Sequence, residues 1–280
     1  MTICRTIGEM RAQVREWRQA GLRVGLVPTM GYLHEGHLSL VDLAAQRAER
    51  VVLSLYVNPT QFGPGEDLDK YPRDVPRDEA MCRQRGVQAL FYPDSRAMYA
   101  PTHSTWVVVE GLTDTLCGRS RPGHFRGVST VVAKLFNIVQ PDVAVFGRKD
   151  AQQVLVIQRL VRDLDQPVEI IVAPIVREAD GLAMSSRNTY LTADERQRAV
   201  CISQALREAE QRQARGEFDA ALLCQRVSAI ILAGGGRIDY VECVSRDTLQ
   251  PLTRIDQPAL LAVAAYFGKT RLIDNAYLDG

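Results

Sequence analysis

Lysine and histidine are scarce in this 280-residue chain, with four of each: Lys70, Lys134, Lys149 and Lys269 against His34, His37, His103 and His124. Arginine supplies the remaining 30 of the 34 basic residues. Codon bias is a sufficient reason for so much arginine, so the positions where Lys and His persist are where chemistry is sought first. Net charge is also nearly absent, at +1 with histidine neutral, which advertises no nucleic acid or other polyanion as a partner. No apolar run approaches the ~20 residues of a membrane span. Residues 1–13 carry Arg5, Glu9 and Arg11 where a secretory leader has its apolar stretch. The six cysteines (Cys4, Cys82, Cys117, Cys201, Cys224 and Cys243) contain no C-x-x-C pair. That leaves no readable zinc ribbon or redox dithiol, and the expected location is a reducing compartment, the cytoplasm. Repeats and low-complexity segments are missing too. What is present is the balance of a folded globular protein, 46% hydrophobic and 24% charged. At this length roughly three quarters of the unfolded surface can be buried, so a core needs no disulfide or metal staple.

The apolar pattern alternates between two periods. Residues 22–28 form a short apolar run that stops at Pro-Thr-Met-Gly, and residues 37–50 place Leu38, Val41, Ala45 and Ala48 at helical spacing. An apolar, β-branched run at 51–57 completes a strand–helix–strand unit of βαβ size, which implies a parallel sheet. The same reading predicts a helix over 74–86, strands at 87–92 and 105–110, and a helix over 127–139. A second βαβ unit follows, with strands at 142–146 and 168–173 around a helix at 151–164. Residues 1–175 are therefore expected to form one doubly wound α/β domain. After Pro174 the pattern changes to helices at 193–215 and 220–233 and strands at 238–245 and 259–267, a separate small α+β domain over 176–280. Its first helix opens with the capping-box pair Thr192 and Glu195, and its second stops at three consecutive glycines, 234–236.

Four segments fall where an α/β sheet binds ligands, at the carboxyl ends of strands or between domains. In Thr29-Met30-Gly31-Tyr32-Leu33-His34-Glu35-Gly36-His37 the helix start offers unpaired N–H groups and a partial positive charge. Gly31 and Gly36 allow close approach of a phosphate and two imidazoles donate to it, which together describe a nucleoside triphosphate cradle. The plainer alternative is that the glycines turn the chain and the histidines cap or pack. Zinc is disfavoured, because the zinc-protease motif spaces its histidines four apart on a continuous helix and these are three apart around a glycine. In Asn58-Pro59-Thr60-Gln61-Phe62-Gly63 the amides of Asn58 and Gln61 are suited to a polar substrate, although Asn-Pro is equally a turn former. In Phe146-Gly147-Arg148-Lys149-Asp150, Lys149 is placed to neutralise phosphate charge, while Asp150 with Gln153 reads equally as a capping box. Residues 177–188, READGLAMSSRN, offer hydroxyls and a guanidinium able to close over phosphates, or serve as a plain linker.

Taken in order, these segments resemble one family across nearly the whole chain. Val27-Pro28-Thr29-Met30-Gly31, His34-Glu35-Gly36-His37, Asn58-Pro59-Thr60-Gln61-Phe62, Lys70-Tyr71-Pro72-Arg73, Arg121-Pro122-Gly123-His124-Phe125, Lys149-Asp150 with Gln152-Gln153, the stretch 180–188 and Arg271-Leu272-Ile273-Asp274-Asn275 resemble the pantothenate synthetase (pantoate–β-alanine ligase) family. The resemblance implies a Rossmann-like amino-terminal domain of the HIGH nucleotidyltransferase superfamily and a carboxy-terminal lid. It also implies ATP with magnesium, a cytoplasmic homodimer, no nucleic acid or membrane partner, and a ligation of pantoate to β-alanine through pantoyl adenylate. Under it His34 and His37 stabilise charge on the α-phosphate and departing pyrophosphate, and His37 corresponds to the assigned proton donor. Lys149 and Arg187 with Ser185 and Ser186 hold the β and γ phosphates, in a Met184-to-Arg187 stretch similar to the KMSKS loop of related synthetases. Met30, Gly31, Gly36, Gly147, Asp150, Val176 and Met184 complete the ATP set. Gln61 and Gln153, with Asn58, take pantoate, and Met30, Val131 and Val132 wall its gem-dimethyl group. One residue departs from the pattern: Arg148 stands where the family usually has Glu, reversing a charge beside Lys149. The magnesium ligands are not readable, and acidic residues near Asp78 are candidates. The rival readings are another adenylate-forming or nucleotidyl-transferring enzyme of the same superfamily, which Gln61 and Gln153 argue against, and a catalytically silent nucleotide-binding protein.

Overall fold

The structure, a computed structural model, describes residues 1–279. By compactness the chain divides into two units. The first comprises Met1–Val109, Pro122–Arg148 and Val156–Pro174, and the second Glu110–Arg121, Lys149–Leu155 and Ile175–Gly280. A break falls at residue 174/175, where the apolar pattern changes. Residues 110–121 and 149–155, however, group with the carboxy-terminal unit, and tertiary bonds account for part of this. The Gln152 side chain accepts the Cys117 N–H at 2.9 Å and donates to the Leu112 and Thr115 carbonyls at 2.8 and 2.9 Å. Such pairings between distant segments leave no composition signal.

The first unit is built on a six-stranded, wholly parallel sheet. Its elements are β1 (Thr2–Cys4), α1 (Ile7–Gln19), β2 (Val24–Thr29), α2 (Glu35–Ala45), β3 (Arg50–Leu55), α3 (Val75–Gln84), β4 (Ala89–Phe91) and α4 (Ser95–Met98). After α5 (Leu116–Ser120), which belongs to the second unit, come α6 (His124–Val139), β5 (Val143–Gly147), α7 (Ala151–Asp163), whose residues 151–155 also group with the second unit, and β6 (Glu169–Ala173). The strand order is β1-β4-β3-β2-β5-β6. This is the Rossmann-like α/β arrangement the pattern predicts. The apolar strands read as continuous runs because helices cover the sheet: β2 and β3 are buried over nearly their whole length. From β2 the chain steps outward to β3 and β4, then returns across β2 to β5 on its other side. That reversal is a topological switch point, and the crevice at the carboxyl ends of β2 and β5 is where such sheets bind ligands.

β1 and α1 are additions to the elements expected from the sequence. Thr6 and Glu9 form a capping box at the start of α1, and Met10, Val14 and Trp17 bury one stripe of it. The expected strand at 105–110 is absent. Val107 N–H donates to the Thr130 hydroxyl at 3.0 Å instead of to a strand, and Val108 is 58% exposed. Trp106 lies under the Arg126 guanidinium, 4.6 Å from its carbon. β-Branched composition alone does not make a strand, because pairing is decided by tertiary context.

The second unit packs α8 (Ala193–Ala199), α9 (Cys201–Gln213) and α10 (Ala220–Ala233) with an antiparallel sheet, β7 (Arg237–Ser245), β8 (Ala259–Phe267) and β9 (Thr270–Leu278), in the order β7-β8-β9. β8 is central and buried at eight of nine positions. The continuous helix expected over 193–215 is instead two helices. The Ser203 hydroxyl bonds the Val200 carbonyl at 3.0 Å and competes with Gln204 N–H at 3.3 Å, an arrangement that bends helices. The Thr192–Glu195 capping box forms, and α10 stops at Gly234, with Gly235 at φ +76°. β9 is a further strand that the apolar pattern does not predict. No helix among the described residues is long and apolar enough to cross a membrane. All six cysteines are free thiols, and burial pushes Cys82 and Cys243 up to about 12.

Candidate active site

The switch point of the first unit is occupied by the loop between β2 and α2. Gly31 at φ +83° and Tyr32 at φ +51° turn the chain through the left-handed region. Asp78, 1% exposed on α3, holds that turn: its two carboxylate oxygens accept the N–H groups of Tyr32 and Leu33, each at 2.7 Å. Burial raises the Asp78 pKa, and the two backbone N–H groups oppose the shift. A Cβ on Gly31 would stand 3.0 Å from Asp78 Oδ2 and 3.1 Å from Leu55 Cδ2, so the glycine is what lets the carboxylate reach the turn. The acidic residues near Asp78 are the candidates for a metal ligand. The Asp78 oxygens are committed to the loop, and no group of three His, Cys, Asp or Glu able to hold a metal exists among the described residues.

The loop delivers two histidines. His34 caps α2 from an extended conformation, φ −145° and ψ 173°, and its carbonyl accepts the His37 and Leu38 N–H groups at 2.8 and 3.1 Å. Helix α2 begins at Glu35, so Gly36 and His37 lie in its first turn, whose N–H groups have no partner four residues back in the helix; that of His37 turns instead to the His34 carbonyl. The imidazole rings lie 4.0 Å apart, tilted by 31°. His34 N–H donates to His37 Nδ1 at 3.4 Å. An accepting Nδ1 goes with the tautomer that carries its proton on Nε2, the form able to donate to an anion.

Gln61 is fixed in the same unit. It sits in the short 3₁₀ turn Pro59–Gln61 after β3, with its Oε1 accepting from Asn58 Nδ2 at 3.0 Å and its Nε2 donating to Met30 Sδ at 3.4 Å. Its carbonyl lies 2.8 Å from His124 Nδ1. Asn58, 1% exposed, also donates to the Gly127 carbonyl at 3.1 Å and accepts from the Thr60 hydroxyl at 2.9 Å. Both Asn58 amide atoms are therefore used inside the protein, one of them to hold Gln61. Gly127 admits the turn: a Cβ there would lie 2.5 Å from the Thr60 carbonyl oxygen and 2.7 Å from Gln61 N. Sequence reasoning assigns no work to Gly127 or His124, although Arg121-Pro122-Gly123-His124-Phe125 marks the segment. Val131 and Val132 lie buried on α6, and Gly147 ends β5, where a Cβ would meet nothing within 4 Å. Arg148 is half-buried in the 3₁₀ turn Arg148–Asp150.

The second unit carries the other candidate groups. Lys149 Nζ lies 3.9 Å from Asp150 Oδ2, and Gln153 is in the first turn of α7. Residues 176–184 form a tight hairpin: Met184 N–H donates to the Val176 carbonyl at 3.0 Å, Glu178 N–H to the Leu182 carbonyl at 2.8 Å, and Arg177 pairs with Ala183. The hairpin feeds Ser185, whose hydroxyl accepts Arg187 N–H at 3.3 Å and caps the turn Ser186–Tyr190. Outside it, Arg196 grips Glu178 at 2.5 Å and Asp180 at 2.7 Å, so these hairpin charges are neutralised. The Arg196 hydrogen bond holds the Asp180 carboxyl below the usual range.

A parallel six-stranded sheet with two histidines at a helix start over its switch point defines a Rossmann-like α/β protein of the nucleotide-binding type. The particular family follows from comparison. Residues 2–277 match the model of the pantoate-beta-alanine ligase family. The chain is 56% identical to a pantothenate synthetase of Pelotomaculum thermopropionicum, over 99% of each protein. It superposes on the crystal structure of pantothenate synthetase from Thermus thermophilus with a TM-score of 0.94 at 46% identity, covering 100% of both chains. A pantoate-beta-alanine ligase of Francisella tularensis, solved with beta-gamma ATP and beta-alanine, gives 0.83 at 32% identity, covering 99% of this chain and 97% of that one. The chain belongs to the pantoate-beta-alanine ligase family, and is a ligase by that membership.

Proposed function

We propose that this protein condenses pantoate with β-alanine at the expense of ATP in two steps. In the first, a pantoate carboxylate oxygen attacks the α-phosphorus and the bond to the β-phosphate oxygen breaks, giving pantoyl adenylate and pyrophosphate. In the second, the β-alanine amine attacks the acyl carbon, AMP leaves with its oxygen, and the amine loses a proton. Adenylation is needed because a bare carboxylate has no leaving group for the amine to displace.

The observation that carries this reading is the pair of imidazoles at the first turn of α2, over the switch point of the sheet. The turn's N–H groups and helix dipole favour an anion. His37 Nε2–H and His34 act as donors to charge gathering on the α-phosphate and the departing pyrophosphate, and neutral rings suffice for this. Gln61, held by Asn58 and Met30, orients pantoate, with Met30, Val131 and Val132 against its methyl groups and Gln153 as a second amide. Gly31, Gly36, Gly147, Asp150, Val176 and Met184 belong to the nucleotide's surroundings. Lys149, Ser185, Ser186 and Arg187 take the β and γ phosphates through charge-assisted bonds. Magnesium, which the family resemblance implies, meets no protein cage among the described residues, since the Asp78 oxygens are taken by Tyr32 and Leu33 N–H. Any such ion would travel on the nucleotide's phosphates with its waters. The family resemblance reads the chain as a nucleotide domain of residues 1–175 and a smaller lid of 176–280, although by compactness residues 110–121 and 149–155 group with the carboxy-terminal unit. A cytoplasmic homodimer is part of the reading, and light scattering on the purified protein tests the assembly. The reaction itself is tested by supplying ATP, magnesium and β-alanine with pantoate or with unrelated hydroxy acids. Pantothenate and AMP are expected in equal amounts with pantoate alone, and turnover with other acids but not pantoate contradicts the assignment.

A further inference from the structure

Asp274 and Asn275 belong to a segment that the sequence marks and to which none of these steps gives work. They are adjacent on β9, the edge strand of the second unit's sheet, and are 4% and 3% exposed. Burying a carboxylate and an amide costs free energy unless their hydrogen bonds are made, so their partners are informative. Asn275 Nδ2 donates to the carbonyl of Lys149 at 3.0 Å. Asp274 takes the Arg177 guanidinium as a fork, Nη1 to Oδ2 at 2.6 Å and Nη2 to Oδ1 at 3.1 Å, and Oδ1 also accepts Asn275 N–H at 2.8 Å. Arg177 Nη1 continues to the Gly181 carbonyl at 3.2 Å, across the hairpin of residues 176–184. That hairpin leads directly into Ser185, Ser186 and Arg187. Because successive strand residues point to opposite sides, two neighbouring positions of one strand reach two different loops, and a buried bidentate Arg–carboxylate pair fixes orientation as well as distance.

We propose that Asp274 and Asn275 are positioning residues that set Lys149 in register with the Ser185–Arg187 stretch. One strand then fixes the backbone on which both phosphate-gripping segments of this unit are mounted. Neither residue touches substrate: Asn275 acts through the Lys149 main chain and Asp274 through Arg177. The proposal rests on reading Lys149, Ser185, Ser186 and Arg187 as phosphate groups' partners.

The test compares wild type with Asn275→Ala, the near-isosteric Asn275→Asp, which lacks the donor, Asp274→Asn, Arg177→Gln and the Asp274→Asn/Arg177→Gln double variant. ATP affinity is measured by calorimetry in the absence of pantoate, KM is measured for each substrate, and amide hydrogen exchange is followed along the chain. Asn275→Ala and Asn275→Asp are expected to weaken ATP binding and raise its KM about 10-fold, the scale of one misplaced hydrogen-bonding group. The β-alanine KM should stay within about 2-fold. Exchange should quicken around 149–153 in the Asn275 variants and around 181–187 in Asp274→Asn. The Asp274/Arg177 double variant should be no worse than the poorer single, because the two act as one unit. Unchanged ATP affinity, or quickened exchange spread evenly over β7–β9 with a lowered thermal midpoint, overturns the proposal and leaves the pair structural. Wild type that binds ATP but makes no pantothenate, with Asn275→Ala still weakening ATP, removes the reaction and keeps the anchor. Wild type with no measurable ATP affinity removes both.

Discussion

Asp78→Ala unlatches the loop that carries the histidine pair, and its cost follows from the geometry. Two N–H groups, of Tyr32 and Leu33, each lose a carboxylate partner at 2.7 Å in a site that is 1% exposed. A hydrogen bond to a charged group contributes about 1.5–3 kcal/mol, so the pair contributes roughly 3–6 kcal/mol before the burial of the charge is counted. The upward shift of the Asp78 pKa records that burial penalty, which the substitution relieves. The net loss expected is about 2–4 kcal/mol. For a chain of this size that lowers the thermal midpoint by roughly 5–12 °C. Tyr32, held at φ +51°, is then free to relax toward ordinary backbone angles, carrying His34 with it. A displacement near 1 Å is enough to slow adenylation about 100-fold. Scanning calorimetry and a pyrophosphate-release assay read the two effects, and Asp78→Asn, which keeps one acceptor, should fall between wild type and Asp78→Ala in both. A variant that melts within about 1 °C of wild type and releases pyrophosphate at a normal rate refutes the latch.

Three further outcomes are expected. His37→Ala should cut adenylation by at least about 100-fold, the range for losing one preorganised donor, with the thermal midpoint little changed; near-normal burst kinetics would make His37 structural. Gly127→Ala should drive the Thr60–Gln61 backbone aside, since its Cβ would stand 2.5 Å from the Thr60 oxygen, and the pantoate KM should rise about 10-fold while ATP affinity is kept. An unchanged pantoate KM would separate Gln61 from pantoate. Asp180, held low chiefly by its hydrogen bond from Arg196, adds stability that is present above the unfolded carboxylate pKa of about 3.9 and is lost as pH falls through the lower folded value. The thermal midpoint of wild type should therefore converge on that of Asp180→Asn below pH ~4, and a constant difference down to pH ~2 would contradict the pairing.

The parallel sheet was legible because its inner strands β2, β3 and β5 are buried on both faces and read as unbroken apolar runs. The Thr192–Glu195 capping box was legible because capping is a local affair of four residues. Tertiary partners were not legible. Residues 105–110 have the composition of a strand yet belong to none of the sheet's strands, and Val108 is 58% exposed. β9 interrupts its apolar pattern with Asp274 and Asn275, whose partners lie 97 and 126 residues away. In sequence, Asp78 marks the acids offered as candidate metal ligands, and nothing local points to a backbone partner. Only the turn it meets, 45 and 46 residues earlier, reveals it as a latch. His34 and His37 were the reverse case: their scarcity and spacing marked them, and the structure brings their rings to 4.0 Å.

The central claim is that a carboxylate is adenylated before any amine attacks, and one measurement addresses it directly. Purified protein is mixed with ATP, magnesium and pantoate, with β-alanine left out, and pyrophosphate is counted against enzyme. The account predicts a burst of about one pyrophosphate per active site followed by a stall that β-alanine releases, the behaviour of an accumulating intermediate. Pyrophosphate that appears only when β-alanine is present, or none from pantoate at any enzyme concentration, would contradict it.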